Sequence, residues 1–262
     1  MDKSSWGIRR VDQMPGKGRT ILIYGQAGRG KTSLINTLKG NILLINIDCG
    51  EQVLNPNNPN NSIDVCSLVS KNLKDPSKSI QKLDEFVDWL IAQETLEWGY
   101  IIVDNISEVQ DTKLASLVET RKGNLIVSPD KLAYGQAGFF MLNILKKMRN
   151  LTYAGVNVIY IAWEKTDKVE DFGGEVHSEK STMLFGQNQA KIEGLVDFVM
   201  AMRVDKKGNR FLQLDADNKY SAKKRSEPGV EYPSIIECPK DSDSTLQDFF
   251  DLISRARTGR VD

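Results

Sequence analysis

The sequence is poor in the residues that build metal centres, disulfide frameworks and membrane spans. Its 262 residues include one histidine, His177, and three scattered cysteines, Cys49, Cys66 and Cys238. A single histidine argues against a multi-histidine metal centre, and an odd number of cysteines without metal-ligand spacing indicates reduced thiols. No run approaches the roughly 18 apolar residues that span a bilayer, and the first residues lack the apolar core of a signal peptide. We therefore expect a cytoplasmic protein with no membrane partner.

The chain also lacks net charge, because 35 Lys and Arg balance 35 Asp and Glu. A zero total argues against general nucleic-acid binding. The charges are nevertheless distributed unevenly along the chain. Residues 203–225 carry eight basic and three acidic side chains, which gives this segment a net charge of +5. Length and composition suit one large globular domain over residues 1–262. We divide it into an N-terminal segment (1–18), a core (19–239) and a C-terminal helix with a tail (240–262).

What the sequence does contain is a complete phosphate-binding motif. Residues 25–32 read GQAGRGKT, after the apolar run 20–24 and before a helix-like run that starts at Ser33. The glycines let backbone N–H groups face phosphates, and the following helix adds its positive end. The predicted ATP-binding residues are Gly25, Gln26, Ala27, Gly28, Arg29, Gly30, Lys31, Thr32 and Ser33. Lys31 should reach the β- and γ-phosphates, and the Thr32 hydroxyl should bind Mg²⁺. The alternative is a glycine turn that happens to end in Lys-Thr.

An aspartate ends the apolar strand predicted over residues 100–104. A buried parallel strand reads as continuous apolar residues and presents its last polar residue at the carboxyl edge of the sheet, where ligands bind. Asp104 is therefore predicted to be a Walker B carboxylate, with catalytic importance as the second protein ligand of Mg²⁺. A role as cap of the following helix is the alternative, and it is compatible with metal binding.

Two more carboxylates follow the strand predicted over residues 41–47. Asp48 and Glu51 should reach the same edge, and one of them could polarise the attacking water. Glu51 is the preferred catalytic residue, because it lies on a turn loosened by glycine and has the longer reach. In the alternative interpretation, both side chains only cap or solvate the loop.

The remaining pattern predicts an α/β fold with a mostly parallel sheet between helices. A strand over residues 156–162 should be followed by a polar, glycine-containing segment to about Ser181. Residues 194–203 and 210–214 read as two strands that form a C-terminal antiparallel hairpin. A mobile loop is expected over residues 121–130, and a final amphipathic helix should follow Ser244.

The order of these parts resembles the core of the RecA superfamily without its flanking domains. More narrowly, the sequence is similar to phage nucleotide-binding proteins of the AAA_24 type, which include core-only recombinases of the Sak family of annealing proteins. The resemblance covers about residues 18–239. Its narrower features are residues 47–51, 155–159, 164–165, 192–197 and 223–225.

This resemblance implies a Mg²⁺-dependent, DNA-stimulated ATPase of a phage or bacterial cytosol that forms rings or filaments. It implies binding of single-stranded DNA during recombination or annealing, along loops after Asp104 and Lys165, with a single-strand binding protein as a candidate partner. It also implies a γ-phosphate sensor with the catalytic residue Glu164 at the end of the 156–162 strand, although Trp163 stands where relatives often have histidine.

The same resemblance implies cations that act in trans on the γ-phosphate of a neighbouring subunit. The candidates are Lys223, Lys224 and Arg225, and the alternative is a solvated basic loop. Two further functions stay open. One is an NTP-driven switch or assembly factor acting on protein partners without DNA, favoured by the zero net charge. The other is a small-molecule or nucleotide kinase, disfavoured because no arginine-rich lid is recognisable.

Overall fold

The protein is described by a computed structural model that covers residues 18–68, 75–119, 128–170, 173–227 and 230–258. Several predictions fall outside these residues. They concern the N-terminal segment up to residue 17, residues 121–127 of the expected mobile loop, Phe172 in the second expected DNA loop, and the end of the tail.

Ten strands and five α-helices are present in the described residues. The strands are β1 (Thr20–Gly25), β2 (Gly40–Asn46), β3 (Asn61–Ser67), β4 (Tyr100–Asp104), β5 (Asn157–Glu170), β6 (Val176–Thr182), β7 (Phe198–Val204), β8 (Arg210–Gln213), β9 (Lys223–Lys224) and β10 (Ile235–Glu237). The helices are α1 (Pro76–Ala92), α2 (Ile106–Glu119), α3 (Lys131–Asn150), α4 (Asn188–Leu195) and α5 (Thr245–Thr258). Short 3₁₀ helices cover Thr32–Thr37, Gly50–Val53 and Leu151–Ala154.

The strands form a mixed sheet in the order β10-β8-β7-β1-β5-β4-β2-β3. The run from β7 to β3 is parallel, whereas β8, β9 and β10 pair antiparallel at the other end. The predicted fold class, a mostly parallel sheet extended by a C-terminal antiparallel hairpin, is thereby confirmed. The carboxyl ends of β1, β2, β4 and β7 lie at one edge, which we call the carboxyl edge.

Two apolar layers cover the sheet. On one face, α1, α2, α3 and α4 bury side chains such as Val87 and Met141 against Ile101. On the other face, the Thr32–Thr37 3₁₀ helix and α5 bury Leu34 and Phe249. Because β1 is buried along its whole length, its carboxyl end is held rigidly between these layers. Among the described helices, none combines the length and the apolarity that crossing a bilayer requires.

The structure corrects the prediction for the segment after residue 162. β5 does not end there but continues to Glu170 and pairs antiparallel with β6, from Glu164 opposite Thr182 to Glu170 opposite Val176. The expected loop after Lys165 is therefore a β-hairpin that projects beyond the carboxyl edge. The apolar pattern did not reveal these strands, because most of their residues are exposed and the buried ones, such as Ser181 and Thr182, are polar.

Two further boundaries differ from the prediction. The strand expected from residue 194 begins at Phe198, because residues 194–195 end α4, whose fully buried side chain is that of Ile192 alone. A helix with so narrow a buried face leaves little periodic signal. The helix expected after the phosphate-binding motif is a 3₁₀ helix of six residues, which starts at Thr32.

Candidate nucleotide-binding site

The phosphate-binding loop follows β1 at the carboxyl edge. Residues 26–29 are exposed, so the loop backbone faces solvent. Gly28 and Gly30 have φ values of 71° and 91°, in the left-handed region that favours glycine. Gly25 needs its small size for another reason, since a Cβ there would lie 2.9 Å from the carbonyl oxygen of Met202. The glycine spacing of the motif thus corresponds to backbone requirements of this loop.

Lys31 is only 8% exposed, and its ammonium lies under the loop. Its Nζ donates hydrogen bonds to the carbonyl oxygens of Gly25 at 2.7 Å and Gln26 at 2.9 Å. Burial lowers the pKa of Lys31, and the carboxylates of Asp104, Asp48 and Glu164 oppose that shift. A bound triphosphate would offer Nζ charged acceptors in place of the two carbonyls, which strengthens its hydrogen bonds.

Thr32 and Asp104 meet although 72 residues separate them in sequence. The Thr32 hydroxyl donates a hydrogen bond of 2.6 Å to Asp104 Oδ2. Asp104 is 1% exposed, and this burial raises the pKa of its carboxyl to about 6. The Thr32 hydrogen bond and Lys31 act against the increase, whereas the charge of Asp48 adds to it. Ionised Asp104 is therefore electrostatically unfavourable here, and a bound cation would stabilise it.

The residues at this point fit Mg²⁺. Gly50 leaves a small space there, since a Cβ on it would lie 3.0 Å from Asp48 Oδ1, 3.5 Å from Thr32 Oγ1 and 3.6 Å from Asp104 Oδ2. Three oxygen atoms thus converge on one spot beside the phosphate-binding loop. Mg²⁺ takes oxygen ligands, commonly one or two from the protein and the rest from phosphates and water. Thr32 and Asp104 would hold it, and it would neutralise phosphate charge.

The structure separates the two candidates for water activation. Asp48 accepts a hydrogen bond of 2.6 Å from Asn105 Nδ2 and lies beside the Thr32–Asp104 pair. Glu51, on the Gly50–Val53 3₁₀ helix, accepts a hydrogen bond from Asn46 instead. Asp48 is thus the acid that lies beside the Thr32–Asp104 pair, and a role in water activation stays a prediction for both Asp48 and Glu51.

Glu164 lies near the same site and carries a cationic partner. Its side chain is 4% exposed and pairs with Lys180 Nζ at 2.7 Å, across the β5–β6 hairpin. Its charge also acts on Lys31. A buried acid–base pair next to a phosphate-binding lysine can respond to added negative charge by changing partners. The position suits the sensor role that the resemblance implies, but that role stays a prediction.

The three cations predicted to act in trans all have partners within the chain. Lys223 Nζ donates to the carbonyl oxygens of Glu193, Gly194 and Val196 at the end of α4. Lys224 pairs with Asp215 at 2.9 Å, and Arg225 pairs with Asp197 at 2.9 Å. Action on a neighbouring subunit would require each cation to leave these partners.

Sequence reasoning missed three residues of this region. Asn105 orients Asp48, Lys180 neutralises Glu164, and Arg210 lies against the phosphate-binding loop, where its Nη1 would be 2.5 Å from a Cβ on Gly30. Only Asn105 gave a signal, because it directly follows Asp104. The other two come from distant strands and are recognisable only once the sheet order is known.

Comparison with known proteins agrees with this geometry. The family model AAA_24, described as an AAA domain, matches residues 17–226, which include the phosphate-binding loop, Asp48, Asp104 and Glu164. A search of curated proteins found no match. Domains of this type bind and hydrolyse nucleotides, in agreement with the arrangement of Lys31, Thr32 and Asp104. The matched region spans most of the sequence, and the chain belongs to the AAA_24 family of AAA domains.

Proposed function

We propose that this protein is a Mg²⁺-dependent, DNA-stimulated ATPase that binds single-stranded DNA, assembles into rings or filaments, and promotes annealing or strand exchange. The observation that carries the ATPase part is the convergence of Lys31, Thr32, Asp104 and Asp48 at one point of the carboxyl edge. A triphosphate bound by the loop would meet the buried Lys31 ammonium, the Thr32–Asp104 pair that can bind a metal, and the carboxylate of Asp48, which Asn105 holds in place.

Each side chain has a distinct task in the proposed reaction. Lys31 exchanges its carbonyl acceptors for phosphate oxygens and stabilises their charge. Asn105 holds Asp48 in position, and Asp48 orients and polarises the attacking water. The charge of Glu164 acts on Lys31, so a bound γ-phosphate would change the pairing between Glu164 and Lys180. Because Glu164 lies on β5 and Lys180 on β6, that exchange would make the conformation of the β5–β6 hairpin depend on the bound nucleotide.

The DNA part of the proposal is supported by exposed lysines at the carboxyl edge. Lys206 and Lys207 occupy the β7–β8 turn, next to the strand that flanks the phosphate-binding loop, and both are exposed. Lys219 is exposed as well, and its Nζ lies 5.8 Å from the centre of the Tyr220 ring. Solvent-exposed lysines bind the phosphates of a nucleic acid without regard to its base sequence. The AAA_24 resemblance implies the same ligand.

The salt dependence of oligonucleotide binding tests this proposal. Binding of an unstructured oligonucleotide by the wild type should weaken steeply as salt rises, because counterions are released from neutralised phosphates. The double variant Lys206→Ala, Lys207→Ala should reduce the slope of log K against log salt by roughly 1.4. Lys39→Ala is the matched control, since Lys39 is exposed at the opposite edge, just before β2. No binding at low salt would contradict the proposal.

A second candidate function, an NTP-driven switch acting on protein partners, is favoured by one observation. A groove of about 610 Å³ between α3 and the segment before α4 is lined by Tyr134, Phe139 and Phe185. Phe139 is 75% exposed, which is unusual for so large an apolar side chain. ATP turnover that ignores DNA, together with no oligonucleotide binding, would favour this candidate over the first.

A further inference from the structure

Tyr220, on the segment between β8 and β9, lies against two cations at the base of the β5–β6 hairpin. It is buried on the same face of the sheet as α1 to α4. Lys180 Nζ lies 5.3 Å from the centre of the Tyr220 ring, and Arg203 Cζ lies 4.9 Å from it. The face of an aromatic ring attracts a cation, and the attraction is stronger where water is excluded. Tyr220 therefore makes a directed contact with Lys180 in addition to its apolar packing.

Lys180 contacts the Tyr220 ring and the Glu164 carboxylate at the same time. Its Nζ pairs with Glu164 Oε1 at 2.7 Å. Its backbone N–H donates a hydrogen bond of 2.7 Å to the carbonyl oxygen of Lys219, and its carbonyl oxygen accepts one of 2.9 Å from the N–H of Ser221. These two backbone bonds flank Tyr220, so the ring is kept beside the Lys180 side chain.

The same backbone is fixed to the residue that precedes the phosphate-binding loop. Tyr24 is completely buried and comes directly before Gly25. Its hydroxyl lies 2.9 Å from the carbonyl oxygen of Lys180 and 2.5 Å from that of Ser221. The end of β1, β6 and the segment that carries Tyr220 are thus joined at one point beneath the loop.

The strand register places Glu164 next to the loop as well. Gly25 lies opposite Trp163 in the pairing of β1 with β5, and Glu164 is the next residue along β5. The charge of Glu164 acts on the Lys31 ammonium. The Glu164–Lys180 pair is therefore close enough to the loop for its charges to act on a bound phosphate.

The cation of this pair matters most for the γ-phosphate. An unpaired Glu164 carboxylate would repel the added negative charge of a triphosphate. A cation kept beside Glu164 offsets that repulsion, whether it stays paired with the carboxylate or turns toward the phosphate. ADP lacks the γ-phosphate, so its binding should depend less on the position of the Lys180 ammonium.

We propose that Tyr220 is a positioning residue for the nucleotide site, whose ring keeps the Lys180 ammonium at Glu164, beside the phosphate-binding loop. Tyr220 acts through Lys180 and not on the nucleotide itself. This role rests on the proposed binding of ATP by the loop. It places a determinant of the preference for ATP over ADP on the segment between β8 and β9, outside the phosphate-binding motif.

Affinities for ADP and for AMP-PNP, a non-hydrolysable analogue of ATP, test this role on the full chain with Mg²⁺. Tyr220→Leu removes the ring but keeps an apolar side chain, and it should weaken AMP-PNP about fivefold and ADP less than about twofold. Tyr220→Phe keeps the ring and should bind both ligands like the wild type. Tyr153→Leu is the matched control and should change neither affinity, since Tyr153 is exposed just before β5 at the opposite edge.

A double-variant cycle separates positioning from packing. Lys180→Met removes the ammonium and should weaken AMP-PNP relative to ADP by about tenfold, because it leaves the buried Glu164 carboxylate without its cation. Adding Tyr220→Leu to Lys180→Met should then leave this ratio unchanged, since Tyr220 acts only through that ammonium. A further fall of the ratio in the double variant would overturn the role. An equal loss of AMP-PNP and ADP affinity in Tyr220→Leu would also overturn it.

Two further results complete the test. Lys31→Ala should weaken both ligands, and unchanged binding would contradict the loop as the nucleotide site, and the role of Tyr220 with it. If Lys31→Ala weakens binding while Tyr220→Leu behaves like the wild type, only the role of Tyr220 fails. The contact can also be measured in the unmutated protein by NMR. The ring of Tyr220 should shift the Hε protons of Lys180 upfield, and shifts typical of a solvated lysine would overturn the role.

Discussion

The hydroxyl of Thr32 donates a hydrogen bond of 2.6 Å to the carboxylate of Asp104. It joins the residue after the phosphate-binding lysine to the end of β4, two strands away from β1 in the sheet. Asp104 is buried, so the contact forms in surroundings where electrostatic interactions are strong. The two motifs recognised separately in the sequence therefore form one site.

Substitutions of Thr32 test its role as a metal ligand. Thr32→Ala should raise the Mg²⁺ concentration needed for half-maximal ATP turnover by about tenfold or more, because even the loss of an outer-shell partner costs a metal about 10- to 100-fold in affinity. Thr32→Ser keeps the hydroxyl and should behave like the wild type. An equal Mg²⁺ requirement in all three proteins would exclude Thr32 as a ligand.

The raised pKa of Asp104 predicts a pH dependence of nucleotide binding. Burial raises the pKa to about 6, so the carboxyl is protonated below that pH and cannot bind Mg²⁺. Affinity for Mg²⁺-ATP should fall about tenfold for each pH unit below 6. Asp104→Asn should bind more weakly at pH 7 and show a shallower fall. Identical pH profiles for the two proteins would contradict this role.

The same shift affects the stability of the unliganded protein in the opposite direction. Between pH 4 and about 6 the folded state retains a proton on Asp104 that the unfolded chain has released. The stability that this proton contributes is present at pH 4 and is lost as pH rises through 6. Urea unfolding should therefore show that the free energy of unfolding falls between pH 4 and 6 less in Asp104→Asn than in the wild type. A steeper fall in the variant would refute the raised pKa of Asp104.

Asp48 and Glu51 can be separated by turnover measurements at saturating nucleotide. Asp48→Asn should lower kcat by about a hundredfold or more, because it removes the acid that faces the Thr32–Asp104 pair. Glu51→Gln should lower it by less than about threefold, since Glu51 bonds to Asn46 and only Asp48 lies beside Thr32 and Asp104. ATP affinity should change little in either variant. A larger loss from Glu51→Gln would restore the preference that the sequence alone gave.

The basic residues of β9 and its flank should contribute to stability. Arg225→Ala should lower the free energy of unfolding by about 2 kcal/mol, because it leaves the buried carboxylate of Asp197 without its cation. Lys224→Ala is the matched comparison and should cost less than about 1 kcal/mol, since its partner Asp215 is 45% exposed. Equal unfolding midpoints for both variants would contradict this order.

The sequence predicted the parts of the fold and site that depend on local pattern. Strands β1 and β4 were predictable because a strand buried on both faces is continuously apolar. The loop glycines and Lys31 were predictable because phosphate binding demands that spacing. Asp104 followed from the position of a polar residue at the end of an apolar strand.

The remainder depends on contacts that no local pattern records. Asp48 lies beside the site next to Cys49, which adopts a left-handed conformation with φ of 62°, and it is held there by Asn105 at the end of the neighbouring strand β4. Arg210 meets Gly30 only through the pairing of β7 with β8. The outer part of the β5–β6 hairpin is largely exposed and the buried residues at its base are polar, so its sequence resembles that of a loop.

ATP hydrolysis by Lys31→Ala, compared with the wild type and Lys39→Ala in the presence of Mg²⁺, tests the central claim most directly. Lys31→Ala should reduce turnover by at least about a hundredfold, because it removes the buried ammonium that stabilises phosphate charge. Lys39→Ala should hydrolyse ATP at the wild-type rate. Unchanged hydrolysis in Lys31→Ala would contradict the assignment of the phosphate-binding loop as the ATPase site.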